Sequence, residues 1–400
     1  MGSPLSPDMR NWYFDDGRTP GDIAPWNFAI RYASGYSTGL RSSFSNCYVS
    51  PNQTLSFGSV HVAVGFVDLG LLLDSQFLDT PEPNAGAESP LLFHGYEASP
   101  FAVAKSLILW EMMMDAEIKA EWVVQVWFSA VWSKRATNSF LKAAKTVDQL
   151  LSTNQHQPPE ILALVTHWAQ SKGVGLKKAC SRRSENREAE SDALYFAQAE
   201  DRVEMVHYHL TGAFGLVGAE EEPCSGSVLM WDCPNGTPRL DQENVFFTMT
   251  VADVMKSPLW NGSYFQTAEL VKAERVAVLM DRAQTVKIQI KLSLAFLELS
   301  ESSTALAEII HLQPDSISWS NIVDYLSAED FHALARTCSA TAVHSGYSMN
   351  WPFKVWGTSL IDYPETALDV IGEANRAREL AFRRDCGDFG SFCCLCNTTL

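Results

Sequence analysis

The chain reads WNFAIRYASGYSTG at residues 26–39 and VHVAVGFVD at residues 60–68, and these two runs decide the predicted fold. Each begins with an alternating apolar segment that predicts a β-strand, and a short helix at Leu40–Phe44 is predicted between them. Strand, glycine turn, helix, strand and acid is the order of a nucleotide-binding α/β unit.

Three residues of this unit are candidate ligand contacts: Ser34, Gly35 and Asp68. A glycine in the turn lets the backbone approach a ligand, because a side chain there would block the approach. A carboxylate at the end of the second strand is placed to accept hydrogen bonds from ribose hydroxyls. The alternative is a structural turn that binds nothing, and the pattern alone leaves both interpretations open.

A second candidate segment, residues 315–325, reads DSISWSNIVDY. It predicts a short strand that leads into Ser320, Asn321 and Asp324, followed by a helix at residues 328–336. Polar residues after a strand lie where open α/β sheets bind their ligands. Serine and asparagine are also good helix caps, so capping of the following helix is the alternative interpretation.

The composition is that of a folded, acidic protein of 400 residues, with 46% hydrophobic and 11% aromatic residues and a formal net charge of −17. A field of that sign disfavours nucleic acid and anionic membranes as partners. No run of about 18 apolar residues predicts a membrane span. The polar N-terminus does not have the pattern of a signal peptide, so we expect a cytoplasmic protein.

The nine cysteines are unevenly distributed, and four of them lie near the end of the sequence, at Cys386, Cys393, Cys394 and Cys396. They contain one C-x-x-C pair, whereas a structural zinc site needs four ligands. Cys386 and a histidine from elsewhere would be needed to complete such a site. The sequence therefore predicts no metal centre.

The chain divides into an irregular lead-in at residues 1–25, a single α/β domain at 26–385 and a Cys-rich tail at 386–400. A helical and charged insertion is predicted within the domain, at about residues 135–205. Ser99-Pro100 predicts a helix start, because a capping serine precedes a proline in the first turn. Further helices are predicted at residues 138–151, 159–170, 271–282 and 303–312, and strands at 122–132, 226–231 and 285–299. The last strand alternates so regularly that it predicts one solvent-exposed face or an antiparallel neighbour.

The segment GYSTG at residues 35–39 also matches the G-x-S-x-G nucleophile elbow of α/β-hydrolases, with Ser37 as the nucleophile. An elbow needs strands and an oxyanion loop upstream, and only 36 residues precede Ser37. Acids and His344 are available as later members of a triad. A hydrolase is therefore kept as a further alternative.

Three segments together resemble a known family: residues 28–35, 61–68 and 316–325. They are similar to the domain of unknown function at the N-terminus of dynein axonemal assembly factor 3, which also occurs in fungal proteins with a MYND zinc finger. The resemblance runs over most of residues 20–365. This chain has Tyr36 where the family pattern has an acid, and Val67 where the pattern has an asparagine.

The resemblance implies a Rossmann-like, methyltransferase-like α/β fold with a mostly parallel sheet and a helical insertion. One function that follows is a non-catalytic protein-interaction or assembly module that has lost its cofactor site. The other is an S-adenosylmethionine-dependent methyltransferase, with the cofactor across residues 34–35, its ribose on Asp68 and the acceptor facing Ser320, Asn321 and Asp324. We favour the first, with another protein as partner.

Overall fold

The computed structural model describes residues 55–65, 69–73, 76–79, 89–153, 158–177, 179, 222–234, 257–261, 264–285, 287–297, 303–320, 322, 326 and 328–345. The predicted strand at Trp26–Ala33, the Cys-rich tail and most of the predicted insertion beyond residue 177 lie outside these residues. The predicted domain boundaries therefore stay predictions.

The centre of the fold is a five-stranded sheet in which every pairing is parallel. Its strands are β1 (Val60–Val64), β2 (Leu91–Glu97), β6 (Ile288–Leu294), β7 (Ser316–Ser318) and β8 (Val343–Ser345), arranged in the order β6-β2-β1-β7-β8. Counted along the chain, that order is 3-2-1-4-5, which is the order of a Rossmann-type sheet. The predicted α/β class with a mostly parallel sheet is confirmed.

Helices cover both faces of this sheet. Those of eight or more residues are α2 (Pro100–Met114), α3 (Ala120–Phe128), α4 (Lys134–Thr153), α5 (Pro159–Ala169), α7 (Tyr264–Gln284), α8 (Thr304–Leu312) and α9 (Ala328–Cys338). Two single turns are α1 (Gly70–Leu73) and α6 (Val228–Trp231), and a 3-10 helix spans Gln76–Asp79. None of the described helices is long and apolar enough to cross a membrane.

Alternate residues of each strand belong to different cores, as the period of two requires. Ala63 and Phe93 face the larger core, which is filled by side chains from α2, α3, α4, α5 and α7. Val62 and Ile317 face a smaller core beneath α8 and α9. The central strands of the sheet are therefore buried on both faces, which explains their apolar runs.

Capping serines set the helix starts that the sequence predicted. The Ser99 hydroxyl accepts a hydrogen bond from the Ala102 amide at 3.3 Å, with Pro100 as the first helical residue. Ser303 caps α8 in the same way, by accepting from the Leu306 amide at 3.3 Å. Both predictions are confirmed, because each cap satisfies an amide that the first turn leaves unpaired.

The crossover from β2 to β6 contains a helical bundle, formed by α2, α3, α4, α5 and α7, and a small antiparallel sheet. That sheet has the order β3-β5-β4 and consists of β3 (Val131–Trp132), β4 (Val174–Gly175) and β5 (Ser225–Gly226). The predicted helices at 138–151, 159–170 and 271–282 are confirmed as α4, α5 and α7. The bundle therefore separates two strands that are neighbours in the sheet.

Two predictions of strands in this crossover were wrong over most of their length, since strand occurs only at Val131–Trp132 of the first range and at Gly226 of the second. Residues 120–128 form α3, and six consecutive residues, Val123–Phe128, are buried. A helix buried on all sides loses the polar positions that would reveal its period, and its Val and Trp residues then resemble a strand. At residues 226–231 the strand ends at Gly226, and Ser227 caps the single turn of α6.

The predicted strand at 285–299 is confirmed as β6, but its neighbour is parallel. It pairs with β2 from Leu91–Ile288 to Glu97–Leu294 and is the last strand of the described sheet. Gln289 and Lys291 are exposed, so the alternation reflects a solvent-exposed face at a sheet edge.

Candidate functional site

The strand order reverses beside β1, whose two neighbours are β2 on one side and β7 on the other. In open α/β sheets the carboxyl ends of the strands at such a reversal form the ligand crevice. The described residues at this position are Gly65 after β1, Glu97 at the end of β2, and Ser320 and Ile322 after β7. This edge is the candidate site.

Gly65 forms the turn directly after β1. Its φ is +70°, a left-handed conformation that favours glycine, and its amide donates to the Tyr96 carbonyl at 2.8 Å. A Cβ at this position would lie 3.2 Å from Ile322 Cδ1 and 3.5 Å from Ser320 Cβ. The hydrocarbon side chain of Ile322 therefore lies against Gly65 on the side where a Cβ would project.

Among the residues predicted to contact a ligand, Ser320 is the one that the structure describes. It also has a left-handed backbone, with φ of +49°, and the Ile322 amide donates to the Trp319 carbonyl at 3.0 Å. These features form a tight turn that brings Ser320 and Ile322 over Gly65. The predicted placement of Ser320 at the strand exit is therefore confirmed, although its role in ligand binding stays a prediction.

The other sequence-predicted site residues lie outside the described residues: Ser34, Gly35, Ser37, Asp68, Asn321 and Asp324. Both edges of β1 are paired within the described sheet, to β2 and to β7. The glycine turn at the reversal is the one at Gly65.

Glu97 is the acid at the end of β2, next to the reversal, and the sequence interpretation missed it. Its Oε1 accepts from the Ser99 amide at 2.9 Å, and its carbonyl accepts from the Ala295 amide at 2.9 Å. The signal was available in LLFHGYEASP, residues 91–100, where an apolar run ends in an acid and a helix cap. The side chain is half-buried and positioned by the start of α2.

A buried histidine joins β1 to β7 within the sheet. His61 Nδ1 lies 2.7 Å from Ser316 Oγ, and Nε2 lies 3.2 Å from Ser318 Oγ. Its ring stacks on Phe93 with centroids 5.6 Å apart. Complete burial lowers the pKa of His61 to about 3, so the imidazole is neutral near pH 7. His61 therefore links β1 to β7, the two strands between which the strand order reverses.

His344, the histidine considered for a hydrolase triad, is part of β8 and is buried. Trp319 Nε1 donates to its Nδ1 at 3.0 Å, and its Nε2 donates to the Ser339 carbonyl at 2.8 Å. Burial lowers the pKa of His344. Both ring nitrogens are thus engaged within the fold, which does not suit the base of a hydrolase triad.

A second polar group lies under α8, on the face opposite to His61. Lys291 of β6 forms an ion pair with Glu308 of α8, and His94 and Tyr96 of β2 lie beside them. Burial, followed by the nearby Glu308 carboxylate, raises the pKa of Tyr96. Burial and then Lys291 lower the pKa of His94. The uncharged forms of His94 and Tyr96 are therefore favoured here.

Two arginines of α7 fix the segment that follows the Gly65 turn. Arg275 Nε donates to the Leu73 carbonyl at 2.6 Å, at the end of α1. Arg282 donates to the carbonyls of Phe77 and Leu78, and its guanidinium lies 4.6 Å from the centre of the Phe77 ring. These bonds satisfy carbonyls of α1 and of the 3-10 helix at Gln76–Asp79. They fix both short helices against α7.

One cluster contains the residue types of a hydrolytic triad without its geometry. Asp232 lies in the middle, with Oδ1 3.0 Å from His167 Nε2 and Oδ2 bonded to the Ser171 hydroxyl. A nucleophilic serine must instead contact the histidine. The cluster ties α5 to α6. Among the described residues no group of three or more metal-ligating side chains occurs.

Comparison with known proteins adds no relative to this geometry: no family model, no curated protein and no solved structure matches the chain.

Proposed function

We propose that the chain is a non-catalytic protein-interaction module on a methyltransferase-like variant of the Rossmann-type sheet. The observation that carries the proposal is the contact between Ile322 and Gly65. Ile322 Cδ1 lies 3.2 Å from the position that a Cβ on residue 65 would take. A nucleotide cofactor needs that backbone face open, since its polar groups bind the turn at close range. The isoleucine side chain offers no hydrogen-bonding group to a cofactor, and it occupies the space beside Gly65.

The rest of the edge supports the same proposal. Ser320 packs against the same glycine, and Glu97 already accepts a hydrogen bond from the start of α2. The formal net charge of −17 is consistent with a protein partner in the cytoplasm rather than with nucleic acid.

Calorimetric titration with S-adenosylhomocysteine tests the proposal. We expect no heat of binding up to about 1 mM ligand from protein that is folded by circular dichroism. Glu97→Gln is the matched control variant, because the amide keeps the oxygen that accepts from the Ser99 amide while the charge is removed. Binding on the order of micromolar that Glu97→Gln abolishes would overturn the proposal.

The second candidate function is an S-adenosylmethionine-dependent methyltransferase. Glu97 favours it, because an acid at the end of the strand next to the reversal is placed to hold ribose hydroxyls. In that case Ser320, Asn321 and Asp324 would face the acceptor, and the cofactor would displace Ile322. The same titration separates the two functions.

A further inference from the structure

We propose that the outer edge of β6, together with Phe296, binds an extended segment of a partner protein that adds a strand to the sheet. The segment we infer alternates apolar and acidic residues. This inference rests on the proposed function as an interaction module, and it identifies the surface and the chemistry of the partner.

The backbone of β6 presents hydrogen-bonding groups on its outer side. The Lys287 carbonyl accepts from Leu91 and the Ala295 amide donates to Glu97, so the odd-numbered residues of this strand face β2. Alternate residues of a strand direct their amide and carbonyl to opposite sides. Ile290 and Leu292 therefore point both groups away from β2, and β6 is terminal in the described sheet.

The usual protection of a sheet edge is weak at β6. Natural edges are short, bulged, interrupted by proline or charged. The opposite edge, β8, is three residues long, and His344 and Ser345 are buried. By contrast, β6 is seven residues long, pairs without interruption and contains no proline. The single charge within it, Lys291, is paired with Glu308.

The side chains of β6 define what a docked strand would contact. On one face Ile290, Leu292 and Leu294 form a partly exposed apolar row. Phe296 continues this row beyond the strand and is 72% exposed, an unusually large exposure for a phenylalanine. Apolar side chains of an added strand would cover the row, since cross-strand neighbours on one face are in contact.

The other face of β6 selects acidic residues. Lys287 and Lys291 lie there on either side of Gln289. A lysine has three donor hydrogens, and the Glu308 carboxylate occupies only part of that capacity. Glutamates that alternate with the apolar residues of the docked segment would be attracted to the two lysines. Lysines at the same positions of the segment would be repelled by them.

Fluorescence anisotropy with labelled peptides tests the inference on the full chain. The probe is a peptide of about eight residues that alternates valine and glutamate, and the control peptide alternates valine and lysine. We expect the glutamate peptide to bind at least about tenfold more tightly than the lysine peptide. Equal affinity for the two peptides would overturn the inference.

Two variants at one position isolate the edge hydrogen bonds. Leu292→Pro removes an outward-facing amide and leaves the bonds to β2 intact, because residue 292 does not bond to β2. Leu292→Thr keeps the amide and serves as the matched control for the lost leucine side chain. We expect the proline variant to bind about tenfold more weakly than the threonine variant, with equal circular dichroism. Equal binding by the two variants would overturn the inference.

A second copy of the chain is the competing occupant. Sedimentation velocity of the wild type would show a dimer that Leu292→Pro dissociates, and this result would overturn the proposed peptide partner. Failure of the proposed function is separate, because it is measured as cofactor binding by calorimetry. A silent calorimetric titration with no peptide binding would refute only the docking surface.

Discussion

The helical bundle and the β1–β7–β8 junction are both buried, yet different forces hold them. In the bundle, the Phe140 ring packs between two tryptophan rings. Its centroid lies 5.1 Å from that of Trp132, in the adjoining strand β3, and 6.3 Å from that of Trp168. At the junction, buried polar groups bond to each other through His61 and His344. The bundle therefore depends on apolar contact area, whereas the junction depends on hydrogen bonds and on the protonation state of two histidines.

The largest effect should come from a cavity in the bundle. Phe140→Ala removes a completely buried ring, and we expect the free energy of unfolding to fall by about 3–5 kcal/mol. Urea denaturation at pH 7 and pH 5 measures this loss, which should be the same at both values. Leu150→Ala is the control, since Leu150 is 58% exposed on the same helix, and a comparable loss there would contradict the contrast.

Acid should weaken the junction and spare the bundle. The pKa of His61 is about 3 in the folded protein and near its ordinary value of 6.5 in the unfolded chain, so the unfolded chain binds the proton first. Protonation of His61 therefore does not change the free energy of unfolding above about pH 6.5. As the pH falls from there toward 3, the free energy of unfolding decreases by about 1.4 kcal/mol per pH unit.

Denaturation of His61→Gln across the same pH range checks the assignment. We expect the variant to lack this part of the acid sensitivity, because glutamine carries no titrating proton. His311→Gln, at an exposed position in α8, should keep the wild-type slope. If His61→Gln retained that slope as well, another group would be responsible.

The Gly65 turn should tolerate no side chain. Gly65→Ala places a methyl group in a left-handed backbone and 3.2 Å from Ile322 Cδ1, and we expect a loss of about 1–2 kcal/mol. A double-mutant cycle with Ile322→Val divides this loss into a steric part, which the smaller side chain relieves, and a backbone part. A fully additive cycle would show that Ile322 does not press on the glycine.

A smaller effect is expected from a single hydrogen bond at the junction. Trp319→Phe keeps an aromatic ring beside Phe331 but removes the donor to His344 Nδ1. We expect a loss of about 1 kcal/mol by urea denaturation, since a buried acceptor remains unsatisfied. Trp122→Phe, at a half-buried position of α3, is the control, and an equal loss in both variants would count against a specific role for the bond.

Local signals in the sequence predicted the elements better than the site. The start of α2 was predictable from Ser99 and Pro100, because a cap is a property of a few consecutive residues. The exit of β7 at Ser320 was also predictable from the alternation before it. The helix at residues 120–128 was missed because burial on all sides removes the periodic signal.

The site was harder to predict because it depends on which strands are neighbours. The sequence predicts Asp68 as a site residue because Asp68 follows a strand, whereas Glu97 adjoins the reversal because β2 pairs with β1. No local pattern indicated that β1 would lie at the centre of the order, beside the reversal, or that Ile322 would contact Gly65. The contact between Ile322 and Gly65 joins residues more than 250 positions apart in the chain, as the His61–Ser316 hydrogen bond does.

The long crossover between β2 and β6 has a consequence for synthesis. When β2 has just been translated, the residues of β6 and β7 that will pair with β2 and β1 are still about 200 codons from translation. The bundle lies between them and is built from contacts nearer in sequence, which form faster than distant ones. We therefore expect the bundle to fold first and the sheet to close last, so that β1 and β2 of the nascent chain have each other but lack β7 and β6 as partners for much of its synthesis.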